Sequence, residues 1–171
     1  MAINTKATIT SDITFTQSNL EGNILDQRQG SLSYSTGIAS GVGQTQINAV
    51  YHVASGAIAS GAEVNKDLNA LTQDMIGGSF SMSFDSVKSF VIENTSRTTG
   101  EDLLIRTTGS NALTELFNGL SGNYRIKPAA TYMYSDIYSG LQIDSSNKNV
   151  QIVNNGTGNI YYNMIAVGVT G

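Results

Sequence analysis

Ser79-Phe80-Ser81-Met82-Ser83-Phe84 alternates small polar and large apolar residues without a break, which places Phe80, Met82 and Phe84 on one side. A period of two marks a half-buried β-strand, because successive side chains of an extended chain point to opposite faces. The same rule reads outward in both directions. Ile47, Ala49, Tyr51 and Val53 share a face against Asn48 and His52, and Ile9, Ile13 and Phe15 share one against Thr10, Asp12 and Thr14. Leu103 and Ile105 alternate with Leu104 and Arg106, as Tyr124 and Ile126 do with Arg125 and Lys127. β-Branched and aromatic residues dominate these runs, as a pleated, half-buried surface favours.

Turn signals separate the runs at Ser40-Gly41, Ser60-Gly61, Gly77-Gly78, Thr99-Gly100, Ser121-Gly122-Asn123, Asn155-Gly156 and Gly158-Asn159. Roughly eight to ten short strands at this spacing predict an all-β, antiparallel β-sandwich or barrel and not a βαβ fold. Helical signal is sparse. Asn111 to Asn118 predicts a turn or two of helix, with Asn111 as cap and Leu113, Leu116 and Phe117 inward. Lys66 to Met75 predicts a second short helical piece.

Two stretches break the simple alternation. From Asn159 to Val169 the chain is apolar on both faces, with Ile160, Tyr162, Met164 and Ala166 on one and Tyr161, Ile165, Val167 and Val169 on the other. Such a strand is covered on both sides. It is either central to the fold or presents one face to another subunit. Behind Pro128, Tyr132, Tyr134 and Tyr138 are assigned to one face. Tyrosine suits a surface buried by a partner while its hydroxyl keeps a hydrogen bond, and it suits core packing too. The expected interface set is therefore Tyr132, Tyr134, Tyr138, Tyr161, Ile165 and Val167.

Residues 1–45 differ from the rest. A strand near Ile9 to Phe15 is followed by a polar passage and then by Gly37-Ile38-Ala39-Ser40-Gly41-Val42-Gly43. They read as a strand plus an extended arm across a neighbouring subunit, or as a long surface excursion of the same unit. Residues 46–171 read as the sandwich domain.

Charged residues make up 13% of the 171, about half the usual share, and Ser, Thr, Asn and Gly take their place. A weakly charged polar surface favours close packing against other proteins. The net charge is −4 and the nine basic residues are scattered, which argues against direct phosphate binding to nucleic acid. Arg125 and Lys127 come nearest to a cluster, on a solvated strand face. With no cysteine there is no disulfide, thiolate site or cysteine nucleophile to propose. Met1-Ala2-Ile3-Asn4-Thr5-Lys6 lacks the apolar core of a secretory signal, and no run is long enough for a membrane helix. Synthesis in the cytoplasm, and no membrane partner, are the expectations.

Catalytic constellations are hard to find. His52 is the single histidine and reads as a solvent-facing strand residue, so neither a Ser-His-Asp triad nor a zinc site is expected. Glu101-Asp102 points to opposite faces of a strand, against a paired-carboxylate site. Asp144 to Asn149 offers oxygen ligands, but it lacks the Gly and closing Glu of an EF-hand and reads as a turn. Ser40-Gly41-Val42-Gly43 lacks the Gly-Lys-Ser/Thr of a phosphate loop. Asn94-Thr95-Ser96 and Asn155-Gly156-Thr157 match the glycosylation sequon, which means little without a secretory signal. The expectation is a non-enzyme with no cofactor, no metal and no small-molecule ligand.

From Ile47 onward the order of features resembles small virion proteins of tailed bacteriophages. The likeness rests on Ala49-Val50-Tyr51-His52, Ala57 to Glu63, Asp67-Leu68, Phe84 to Ser96, Gly100 to Ile105, Ile126-Lys127-Pro128, Gly140-Leu141, Val150 to Gly156, and Ile165 to Gly168. It covers roughly two thirds of the chain, and its motifs are strand cores and turns. It implies a jelly-roll-like sandwich and a structural role in a virion, as a capsid-associated (decoration), neck or tail component. The implied partners are copies of the chain itself, as a homo-oligomer, and other virion proteins. A receptor- or carbohydrate-binding sandwich of a fibre or adhesin is the alternative, although the chain has eight tyrosines and no tryptophan to serve as a sugar platform. A hydrolase ranks third.

Overall fold

The computed structural model describes residues 7–21, 24–75, 78–120 and 122–171; of these, residues 7, 11–21, 24–34, 36, 74, 75 and 78 are described through their backbone alone. The strands run in chain order β1 (Ala7–Glu21), β2 (Ile24–Ser40), β3 (Gln46–Ile47), β4 (Ala49–Ile58), β5 (Glu63–Asp67), β6 (Leu71–Met75) and β7 (Gly78–Met82). They continue as β8 (Phe84–Asn94), β9 (Leu103–Arg106), β10 (Asn123–Ile126), β11 (Thr131–Ser135), β12 (Leu141–Gln142), β13 (Asn149–Asn154) and β14 (Ile160–Thr170). A 3-10 turn at Thr114–Phe117 is the one helical element among the described residues. The fold is all-β.

Two antiparallel sheets face each other. One has the order β10-β9-β13-β5; the other has β11-β8-β14-β4, with β12 also paired to β8. Alternation explains why they close on one another. Leu103, Ile105, Ile126, Val150 and Ile152 point inward from the first sheet. Tyr51, Phe90, Ile92, Ile160, Tyr162, Met164 and Ala166 meet them from the second. Phe84, Phe90 and Ile92 are completely buried. At about 25 cal/mol per Å² of apolar surface removed from water, this shared core is the main stabilising term.

The final strand, β14, is central. It pairs with β8 on one side and β4 on the other, so its inner apolar face is core. Where β14 bulges against β8, a Cβ on Gly168 would lie 2.0 Å from the Ser86 carbonyl oxygen, so only glycine fits that crossing. Two buried asparagines tie strand ends to loops. Asn94 donates to the carbonyls of Glu101 (2.8 Å) and Ile126 (3.1 Å), and Asn154 to those of Ile58 (2.8 Å) and Gly158 (2.7 Å).

Residues 7–40 build something else, a hairpin in which β1 and β2 pair antiparallel from Ala7↔Ile38 to Glu21↔Ile24. Its ladder is 15 residues long, about 50 Å at 3.4 Å per residue. Among the described residues, β1 ladders with β2 alone, and β2 adds the short parallel contact of Ala39 and Ser40 with Gln46 and Ile47 of β3. Ile9 and Ile38, near its base, form a second small core with Ile47 and Val167, against which Val50 and Ile137 pack.

Several local expectations change. Ser79 to Phe84 is two strands, because β7 ends at Met82 and β8 begins at Phe84. The period of two survives since both pieces are extended, but Phe80 is exposed and Phe84 is core. Ile47 does not share the Tyr51 face. Asn48 interrupts the strand, exchanging bonds with the backbone of Thr170 (2.8 Å each way), and Ile47 turns to the second core. Lys66 to Met75 is strand, turn, strand and not helix. Leu68 and Leu71 are both buried across a turn closed by Ala70 N–H to the Asp67 carbonyl, and that imitates a helical i, i+3 pair. At Asn111 to Asn118 the four-residue 3-10 turn buries Leu113 and Leu116. Asn111 is not its cap; it sits at φ 58° and its carbonyl accepts from the Lys148 and Asn149 amides. Asp144 to Asn149 is a turn, Asp144 accepting from the Ser146 amide and hydroxyl. Met1 to Lys6, and Gly77 and Ser121 of two turn signals, lie outside the described residues.

Candidate assembly surfaces

The six expected interface residues fall in three places. Tyr132 and Tyr134 alternate inward from β11, opposite Ile92 and Phe90 of β8, and pack half-buried on the main core. The Tyr132 hydroxyl donates to the Leu116 carbonyl (3.2 Å). Its ring lies 4.8 Å from that of Tyr124 and edge-on to Phe117 at 6.1 Å, an aromatic group closing one side of the sandwich. Burial holds both phenols above the usual tyrosine range; neighbouring tyrosines add to this for Tyr132, and Asp136 and Glu115 for Tyr134.

Tyr138 is elsewhere. It lies beyond β11 in a bend and is 60% exposed. Asp136 shapes that bend by accepting from the Tyr138 (2.9 Å) and Ser139 (3.1 Å) amides. Lys88, buried on β8, reaches it from below and donates to the carbonyls of Tyr138 (2.7 Å) and Ser139 (3.0 Å). Burial pulls the Lys88 ammonium below the ordinary lysine value, while Asp136 opposes that shift. Strand alternation stops at Ser135, so the sequence period could not carry Tyr138 onto the face of Tyr132 and Tyr134.

Tyr161, Ile165 and Val167 share the outer face of β14. Val167 is buried under the base of the hairpin, against Ile9, Ile38 and Ile47. Ile165 and Tyr161 are 38% and 49% exposed. Register extends this surface across the sheet. Ile165 stands opposite His52 of β4 and Val91 of β8, and Val91 stands opposite Met133 of β11. The row His52–Ile165–Val91–Met133 thus crosses the outer face with three apolar members, Met133 being 45% exposed. Val91 and Met133 escape sequence reading because strand order is needed to bring them beside Ile165. The one available signal is Met133 itself, an apolar residue in antiphase to Tyr132 and Tyr134. Flanking the row, Asn163 donates to Glu93 (2.8 Å) and forms a polar border.

Register also organises the hairpin. Rungs place Ile9, Ile13 and Phe15 on the same face as Leu32, Tyr34 and Ile38. Thr8, Thr10, Asp12 and Thr14 with Ser31, Ser33 and Ser35 take the other face. The described end agrees, with Ile9 and Ile38 buried while Thr8, Thr10 and Ser35 are exposed.

Polar chemistry is structural where it is resolved. Asp102, buried, takes Arg125 (3.4 Å) and Lys127 (3.5 Å) on one carboxylate oxygen. Glu101 therefore works apart from it, bonded to the Ser96 hydroxyl. Lys148 pairs with Asp67 at 2.7 Å. His52 is exposed, its amide donating to the Gln73 side chain (2.7 Å) at the edge of β4. Among the described residues no three His, Cys, Asp or Glu side chains converge on a metal position, and no helix is long and apolar enough to cross a membrane. Comparisons with protein-family models, with curated proteins and with solved structures find no match to this chain.

Proposed function

We propose that this protein is a structural component of a bacteriophage virion, a capsid-associated, neck or tail protein that works by assembling with copies of itself and with other virion proteins. The observation that carries the assembly reading is the hairpin. A two-stranded ladder alone in water is marginal, and among the side chains described in this one Ile9 and Ile38, at its base, pack on the sandwich. A low-charge surface and the exposed row through Ile165 add to it. The resemblance from Ile47 onward supplies the particle. In this reading the sandwich is jelly-roll-like, residues 1–45 are its arm, and the chain, made in the host cytoplasm, leaves with the particle. It is non-enzymatic and needs no cofactor.

Mass photometry and size-exclusion chromatography of the purified chain test the proposal. An oligomer, or binding to isolated particles, is the expected outcome. A strict monomer that binds no particle protein overturns it. A receptor- or carbohydrate-binding module remains as a second reading, favoured by Tyr124, whose ring is 45% exposed beside Tyr132 and Phe117. Glycan binding abolished by Tyr124→Ala would replace the first reading with the second.

A further inference from the structure

We infer that β11 pairs edge to edge with β11 of a second copy of the chain, antiparallel about a two-fold axis at Met133. This rests on the assembly reading above and names its contact. Backbone geometry supplies the opening. The Asn94 amide donates to the Ala130 carbonyl (3.0 Å) and the Asp136 amide to the Lys88 carbonyl (2.9 Å). These bonds flank the β11–β8 ladder, so the hydrogen-bonded pairs within it are Tyr132↔Ile92 and Tyr134↔Phe90. The amides and carbonyls of Thr131, Met133 and Ser135 therefore point away from β8, along the edge of the sheet, and among the described residues nothing bonds to them. Of the strands that end the two sheet orders, β11 alone is uncharged and unbroken. β5 carries Glu63, Lys66 and Asp67, and β10 carries Arg125, charges of the kind that keep edges apart. β4 is interrupted by Ser55 at φ 54°, and the Gln73 side chain takes its His52 amide (2.7 Å).

The side chains choose the occupant. Thr131-Tyr132-Met133-Tyr134-Ser135 reads the same in both directions by kind: hydroxyl, tyrosine, methionine, tyrosine, hydroxyl. Antiparallel pairing centred on Met133 sets Tyr132 opposite the second copy's Tyr134, and Thr131 opposite its Ser135. Aromatic pairs and Thr–Ser pairs are among the favourable cross-strand partners. Asp136, just past the strand, falls opposite Ala130 and meets no like charge. A two-fold contact needs a surface complementary to itself, and this strand is one. A strand of another sequence would gain the backbone bonds without the matched pairs. Met133 also ends the outer row of His52, Ile165 and Val91, so the pairing carries that row on into its copy as one apolar band.

Met133→Lys and Met133→Glu each set like charges against each other at the axis, whereas an equimolar mixture of the two sets Lys against Glu. The position is exposed and its backbone makes no bond to β8, and thermal unfolding checks that each sandwich is folded. Met133→Pro deletes an outward amide by a second route. Sedimentation velocity over a concentration series reads self-association. Each variant alone should associate at least ~10-fold more weakly than wild type, and the Lys–Glu mixture should recover most of that loss. Phe80→Lys, exposed on β7, should match wild type. If wild type associates and the Met133 variants do so equally well, the contact is elsewhere and the inference falls while assembly stands. A mixture no tighter than either variant overturns the two-fold register and the inference with it. A wild-type monomer that still binds isolated particles also removes the inference and leaves the assembly reading. A monomer that binds no particle protein overturns both.

Discussion

The sandwich and the hairpin obey the same rule of alternation and end in opposite circumstances. In the sandwich, each inward residue of β8 and β14 meets a residue of the facing sheet, and Phe90, Ile92, Met164 and Ala166 are completely buried. In the hairpin the alternation is as regular, with Ile9, Ile13 and Phe15 against Thr10, Asp12 and Thr14, and among its described side chains Ile9 and Ile38 pack on the outer face of the sandwich. Amphipathic patterning specifies that a face will be covered and is silent on which molecule covers it. In the proposed reading, that difference separates a folding core from an assembly surface.

The widest contrast is expected in amide exchange. In a dilute monomeric sample, amides of β1 from Ser11 to Leu20 should exchange at least ~10³-fold faster than those of β8 and β14, since a lone ladder opens locally while the core opens only globally. Exchange mass spectrometry reads this directly, and equal protection in a proven monomer would break the comparison. Assembly should narrow the gap. Next comes the core itself. Phe90→Ala should cost about 3–5 kcal/mol in urea unfolding. Removing an exposed hairpin side chain, Thr8→Ala, should leave the unfolding free energy within about 0.5 kcal/mol of wild type.

The tyrosines sharpen the same boundary. Tyr132→Ala should destabilise the isolated subunit by about 2–3 kcal/mol, because it removes ring packing on Phe117 and Tyr124 and the bond to Leu116. Tyr138→Ala, in the exposed bend, should stay within about 0.5 kcal/mol. Equal effects would mean the two belong to one surface after all.

Fold class was legible because period two and Gly-marked turns are local properties, written residue by residue. The double-faced run from Asn159 to Val169 leaves open a central position or a face turned to another subunit, and β14 is central. What stayed hidden depends on strand order. Nothing local says that Met133, Val91 and Ile165, spread over three strands, stand in one row, or that Val167 lies under Ile9 and Ile38. Helix and turn were confused at Leu68 and Leu71 for a related reason. Spacing reports which residues are buried and not the path the chain takes between them. Tyr138 joined the wrong group because alternation was carried past the end of a strand.

The smallest effect is alkaline, since it is a difference between opposing contributions. Burial raises Tyr132, Tyr134 and Tyr162 above 10.0, so their contribution to stability is complete below that value and is lost as pH climbs through the folded values. Lys88 works the other way. Burial lowers it from 10.5, so the unfolded chain holds its proton more tightly and this group makes stability rise with pH across the window below 10.5. Above 10.5 the lysine's contribution no longer changes with pH while those of the tyrosines are still being lost, so stability should fall there. Lys88→Met removes the opposing contribution and should bring the fall to lower pH, whatever it costs at neutral pH by freeing the Tyr138 and Ser139 carbonyls. Tyr132→Phe should make it shallower. Urea midpoints measured from about pH 8 to 11 give the slopes. Because all four groups belong to the sandwich and its bend, deleting the hairpin should leave the slopes unchanged, and a slope that follows the hairpin would show the two regions to be coupled.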